Sequence, residues 1–231
     1  MKKRTLPVVP VPRELIWGSR YLMFQLFFLG TMISWFLALL GKEKDESLWS
    51  FVFYAINLAA VVWIFRSYLW QSVKYGISRR FELFFAAVLG LGIHLILTTC
   101  LNELILHIQP THSNSNDDAI HENLQNNFFL TALGAVLLVP LAEETLCRGM
   151  IFGSLHGKKP RLAYLFSALF FAFMHVISFI GVKPWLHVLL SILQYLPAGF
   201  VLAWSYAYSG SILAPVIIHT ASNAIAVYTM R

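Results

Sequence analysis

The chain has 231 residues, of which 58% are hydrophobic and only 12% charged, with a mean hydropathy of +0.67. A soluble domain of this length must face water over its whole exterior, so so much apolar surface selects a polytopic membrane protein built as a single helical domain. Strong apolar/polar alternation is absent, which argues against a β-barrel. The formal charge of +6 lies in short Lys/Arg clusters between apolar runs, a pattern of topology and anionic lipid rather than of nucleic acid.

In chain order, apolar segments fall at about 20–40, 48–65, 82–108, 128–156, 161–181, 185–208 and 211–230, each long enough to cross about 30 Å of hydrocarbon at 1.5 Å per residue. The expected fold is therefore all-α, a polytopic transmembrane helical bundle of about seven spans. The first segment has the length of a full span and no small-residue cleavage pattern after it, so it reads as a retained anchor. Lys2, Lys3, Arg4, Arg13 and Arg20 precede it. Arg66, Lys74, Arg79 and Arg80 fill the second loop, and Lys158, Lys159 and Arg161 the fourth. The stretch 109–127 has no Lys or Arg. The positive-inside rule then makes the N-terminus cytoplasmic, 109–127 an external solvated linker, and the C-terminus external. Cys100 and Cys147 both lie in apolar segments and form no disulfide framework.

Polar groups at membrane depth face a cavity or a partner. The fourth segment holds VLLVPLAEETLCRG (136–149), with Glu143, Glu144 and Arg148 some fifteen residues into an apolar run. Glu144 and Arg148 stand at i, i+4, the order that favours an intrahelical ion pair. Glu143 points about 100° away without that partner, and a desolvated lone carboxylate suits a general base. Pro140 leaves the carbonyl of Val136 without its helical donor and bends the helix just before the site. His175 lies in the fifth segment, and Lys159, in the Gly157–Pro160 turn, is midway between it and Glu143 in sequence. Antiparallel helices thus set the two at similar depth. His219 and Asn223, again i, i+4, share one face of the last segment and can donate to a developing oxyanion. The competing reading is that Asn223 only glues helices together. His219 is nine residues past Gly210, which leaves its depth mismatched with the other two. His94 reads as a satisfied core histidine.

EETLCR, FAFMH and HTASN, in that order on three helices, match the patterns EExxxR, FxxxH and HxxxN. In these motifs the chain resembles the CPBP family, the CAAX protease and bacteriocin-processing (Abi) group of intramembrane proteases. The likeness covers about residues 128–228, with Cys147 where the family usually has Phe. It divides the chain into 1–127 (arm, three spans and outer loop) and a 128–231 core of four spans. The resemblance implies an intramembrane endopeptidase acting on membrane-associated proteins or peptides. Glu143 and His175 would activate water, His219 and Asn223 would hold the oxyanion, and Glu144 and Arg148 would support the site. The family has been labelled metalloprotease, and Glu143, His175 and His219 could ligate Zn²⁺ in principle. The preferred reading is a glutamate-activated water with no required cofactor. The alternative is a catalytically silent immunity or scaffold protein of the same fold. The implied partners are a membrane-associated peptide or protein substrate and the lipid bilayer, not nucleic acid. The expected location is a bacterial plasma membrane.

Overall fold

A computed structural model describes residues 6–230 of the chain, so Lys2, Lys3 and Arg4 of the basic arm lie outside the described residues. The helices, in chain order, are α1 (Pro12–Leu39), α2 (Glu46–Ile64), α3 (Arg66–Ser78), α4 (Arg80–Ile108), α5 (Ser115–Asn126), α6 (Phe128–His156), α7 (Pro160–Val176), α8 (Trp185–Ser209) and α9 (Leu213–Thr229). Among the described residues there is no strand. Six helices (α1, α2, α4, α6, α7 with its trailing turn, and α8) are long and apolar enough to span a bilayer, and α9 is a shorter apolar helix. The protein is an integral membrane helical bundle. Outward-facing Trp35, Trp63 and Phe84 are exposed, as lipid-facing side chains are.

Local chemistry sets the helix ends. Pro12 opens α1, where a missing N–H goes unnoticed. The buried Glu14 carboxylate accepts from the Val11 N–H (3.0 Å) and from the Tyr68 N–H (3.0 Å). One side chain therefore caps the starts of α1 and α3 and ties them together. Asp45, Asn114 and Asn127 cap α2, α5 and α6 in the usual way. Gly210, with φ of 70°, ends α8 in the left-handed conformation.

Two regions differ from the sequence expectation. The basic loop after α2 is a helix, α3, that buries Tyr68, Leu69, Ser72 and Gly76 on one face. The stretch 109–127 is not simply solvated linker: it contains α5, which packs on α2 and α6. The short last helix is also accounted for. The Ile212 N–H donates to Ser72 Oγ (2.9 Å) and Ser211 Oγ donates to the Ser72 carbonyl (2.7 Å), so the chain enters α9 against the middle of α3. That offset starting point lets His219 reach the level of Glu144 although it follows Gly210 by only nine residues.

Without water to drive association inside a bilayer, helices pack through small residues. At Gly199 of α8, an added Cβ would meet Ala168 Cα of α7 at 2.7 Å. Gly199→Ala should therefore destabilise the bundle by about 1–3 kcal/mol, the range for overpacking. Gly92→Ala, with open space around it, should be neutral or slightly stabilising because Ala is the better helix former. Denaturant unfolding of both variants in micelles, read by circular dichroism, measures the contrast.

Candidate active site

Helix α6 is not regular. It widens to π-type turns at Gly134–Leu138 and Thr145–Phe152, on either side of the segment Val139–Glu144 that carries both glutamates. Such wide turns re-aim side chains and recur at functional sites. In the first of them the Val139 N–H reaches back to the Gly134 carbonyl. The next donor in that register would be Pro140, which has none. The carbonyl left without a helical donor is thus that of Ala135, one residue before the Val136 expected from regular helix geometry. Asn223 Nδ2 of α9 donates to it at 2.8 Å.

Glu144 is fully buried and is the junction of the site. Its Oε1 accepts from Arg148 Nη1 (3.1 Å) and from His219 Nδ1 (2.9 Å). The Arg148 guanidinium, equally buried, donates through Nη2 to the Gly199 carbonyl (3.2 Å) and lies over the Phe171 ring at 4.6 Å. Charge pairing, a backbone acceptor and a ring face together make this buried ion pair tolerable. Cys147 packs beside it with Phe171, Ala198, Leu202 and Ile218.

Glu143 occupies the other side of α6. Its Oε2 is 3.8 Å from His175 Nε2, is shielded from solvent and makes no hydrogen bond within the described residues. The tautomer of His175 follows from its other nitrogen. Nδ1 meets the Phe171 carbonyl at 2.8 Å, and a carbonyl only accepts, so Nδ1 carries the proton. Nε2 then presents a lone pair towards Glu143. For His219 the same logic puts a proton on Nδ1, facing Glu144, and leaves Nε2 as its remaining group.

Glu143, His175, His219 and Asn223 line one cavity of about 580 Å³, with Glu144 and Arg148 behind it. The volume lies within the usual range for ligand sites. The sequence reading missed several members. The Tyr195 ring stacks on His175 at 4.2 Å, and its hydroxyl donates to Asn114 (3.2 Å) and Asp117 (3.4 Å). Asn116, Asp117 and Ile120 of α5 and Gln25, Tyr54 and Asn57 of α1 and α2 also border the cavity. Burial pushes the Asp117 carboxyl above its ordinary range, while nearby His175 and the Tyr195 hydroxyl pull it down. His112 and Asn114 both bond Gln194, and Ser115 bonds His187, so the start of α5 is fastened to α8. Among the described residues no group of three His, Cys, Asp or Glu side chains is arranged as a metal site. The donor set Glu143, His175 and His219 does not converge as ligands. Outside the cavity, His94 has a local partner in Thr98 (3.3 Å).

Residues 125–225 match the model of a family described as type II CAAX prenyl endopeptidase Rce1-like. Over this segment the chain is similar to that family. The segment contains all three motifs, and the match agrees with the resemblance to the CPBP family drawn from them. The chain is also 34% identical over 87 residues to the UPF0177 protein YxdF of Lactococcus lactis subsp. lactis (strain IL1403). That alignment covers 38% of this chain and 42% of the relative, so the chain spans about two fifths of the length of the curated relative it matches. No solved structure matches the chain. The Rce1-like segment supplies the Glu143, His175, His219 and Asn223 side of the cavity. The wall formed by α1 and α2 and the roof formed by α5 up to Ile120 lie outside it.

Arg148→Met should cost about 3–5 kcal/mol, because it strands the Glu144 carboxylate in the core. The double variant Arg148→Met/Glu144→Gln should recover most of that loss. Unfolding free energies of the three proteins in micelles test this, and a double variant no more stable than the single one would contradict the pairing.

Proposed function

We propose that the protein is an intramembrane endopeptidase that hydrolyses peptide bonds of membrane-associated proteins or peptides. The match of residues 125–225 supports a CAAX protease-type hydrolase. The observation that carries the reading is the Glu143–His175 pair: an unpartnered carboxylate oxygen and an imidazole lone pair 3.8 Å apart on the wall of a cavity. Both are acceptors, and a water molecule is a double donor of the size that bridges them.

In this reading Glu143 takes a proton as the water oxygen bonds to the scissile carbonyl carbon. The carbonyl oxygen becomes an oxyanion. Asn223 spends one amide hydrogen on Ala135 and has a second for that oxyanion. His219 enters and leaves the reaction as an imidazolium in this reading, its Nδ1–H donating to Glu144 and its Nε2–H to the oxyanion. Collapse breaks the C–N bond, and the proton held by Glu143 passes to the departing amine. Every step uses side chains of the chain and one water, so we propose that no metal is required. We also propose that the Gly157–Pro160 turn faces the cytoplasm, at a bacterial plasma membrane, an orientation that the basic clusters support.

Glu143→Gln and His175→Ala should each lower cleavage by at least about 100-fold, as loss of a general base does, while the variants still insert and unfold normally. Comparison of peptides released from membrane proteins by wild type and Glu143→Gln measures it. Undiminished cleavage by either variant would refute the mechanism, and a cellular phenotype retained by Glu143→Gln would favour a silent scaffold instead. A zinc-specific chelator should leave the rate unchanged. Inhibition that is reversed by added zinc would overturn the metal-free reading.

A further inference from the structure

The wall formed by α1 and α2 carries two side-chain amides whose hydrogen-bonding capacity is not used up by helix packing. Gln25, at the first residue of a wide turn in α1, is 6% exposed, and its Oε1 has no hydrogen-bond partner among the described residues. Asn57 of α2 is 4% exposed. Its Oδ1 accepts from the Tyr21 hydroxyl at 3.1 Å, which leaves the Nδ2 donors for another group. Both residues border the same cavity as Glu143 and His175. A buried amide without a partner is unfavourable in a protein interior, and more so in a bilayer. Leucine in place of Gln25 would fill similar space without that penalty.

A polypeptide at bilayer depth satisfies its backbone only as a helix or a closed barrel. A scissile bond must leave the helix to be attacked, and its neighbours then carry orphaned N–H and C=O groups. A carboxamide is the complement of a peptide group, because its oxygen accepts and its nitrogen donates. We propose that Gln25 and Asn57 form a subsite that binds the backbone of an unwound stretch of a membrane-inserted peptide substrate. This assignment rests on the endopeptidase reading and adds the substrate class to it. The subsite ignores side-chain identity and selects instead for segments that unwind readily. It belongs to the part of the chain outside the Rce1-like match.

The test uses the full chain in lipid vesicles and two synthetic apolar peptides of about 20 residues, long enough to span. One is a continuous Leu/Ala helix and the other carries a central Gly-Pro break. Binding is read by energy transfer in the Glu143→Gln background, where no turnover consumes the probe, and KM is read with Glu143 intact. The protein should prefer the broken peptide. Gln25→Leu and Asn57→Leu should each weaken its binding by roughly 3- to 10-fold, the range of one lost neutral hydrogen bond. Binding of the continuous helix should not change; Gln25→Leu should be no less stable than wild type, and Asn57→Leu should lose no more than the Tyr21 hydrogen bond. If a Leu variant fails to fold, Gln25→Met, unbranched and of similar length, repeats the measurement. An unchanged preference in folded variants at both positions overturns the subsite, as does cleavage with unaltered KM. Loss of the preference together with no cleavage by wild type would refute the endopeptidase reading and leave the subsite standing.

Discussion

The Glu144 carboxylate, fully buried in the middle of an apolar helix, is the constraint around which the bundle is arranged. It needs partners, and the partners come from different places. Arg148 is on its own helix, while His219 brings in α9. Arg148 then reaches the Gly199 carbonyl of α8 and the Phe171 ring of α7. Four helices are therefore fixed in register by one charge and its neighbours. The close approach of α7 and α8 at Ala168 and Gly199 keeps that carbonyl within reach. An ion pair of this kind is no better for stability than well-packed apolar side chains would be. Its contribution is positional, because its contacts join α6 to α7, α8 and α9.

Pairing Glu144 through Oε1 in this way leaves Glu143 outside the ion pair. The two are adjacent, so an orientation that buries one between α8 and α9 turns the other about 100° away, towards α7 and the cavity. The wide turns on each side of Val139–Glu144 adjust that orientation, and Pro140 confines the first of them. The distortion leaves the Ala135 carbonyl free, and Asn223 takes it up. The bond helps hold α9 against α6 and still leaves an amide hydrogen available. The gluing and oxyanion readings of Asn223 are thus compatible, since a carboxamide nitrogen has two donors.

Sequence reading succeeded where geometry is local or follows from arc length. The Glu144–Arg148 pair needs only i, i+4 spacing, and the common depth of Glu143 and His175 needs only two antiparallel helices around a short turn. It failed where position depends on tertiary anchoring. His219 meets Glu144 because Ser72 of α3 receives the start of α9, and nothing in the HTASN motif contains that information. The shift from Val136 to Ala135 arises from a π-type register that periodicity does not report. Helix α5 did leave a signal. Asn114 followed by Asp117 and Asp118 is an N-cap with an acidic first turn, but its polar composition resembles a linker. Tyr195, stacked on His175, sits in an apolar stretch where an aromatic residue reads as packing.

The cavity joins two parts of the chain with different chemistry. The Rce1-like segment provides a carboxylate and two imidazoles, groups that move protons. Of the helices before it, α1 and α2 provide the carboxamides Gln25 and Asn57, which do not titrate and can only donate and accept, while α5 adds the carboxyl of Asp117. Hydrolysis inside a bilayer has two physical requirements: activation of water, and stabilisation of a backbone removed from its helix. The titrating wall suits the first and the carboxamide wall the second. On the endopeptidase reading, a motif comparison confined to residues 125–225 therefore describes the side of the cavity proposed to break the bond. The side proposed to decide which segments can be drawn into it lies upstream, in α1 and α2.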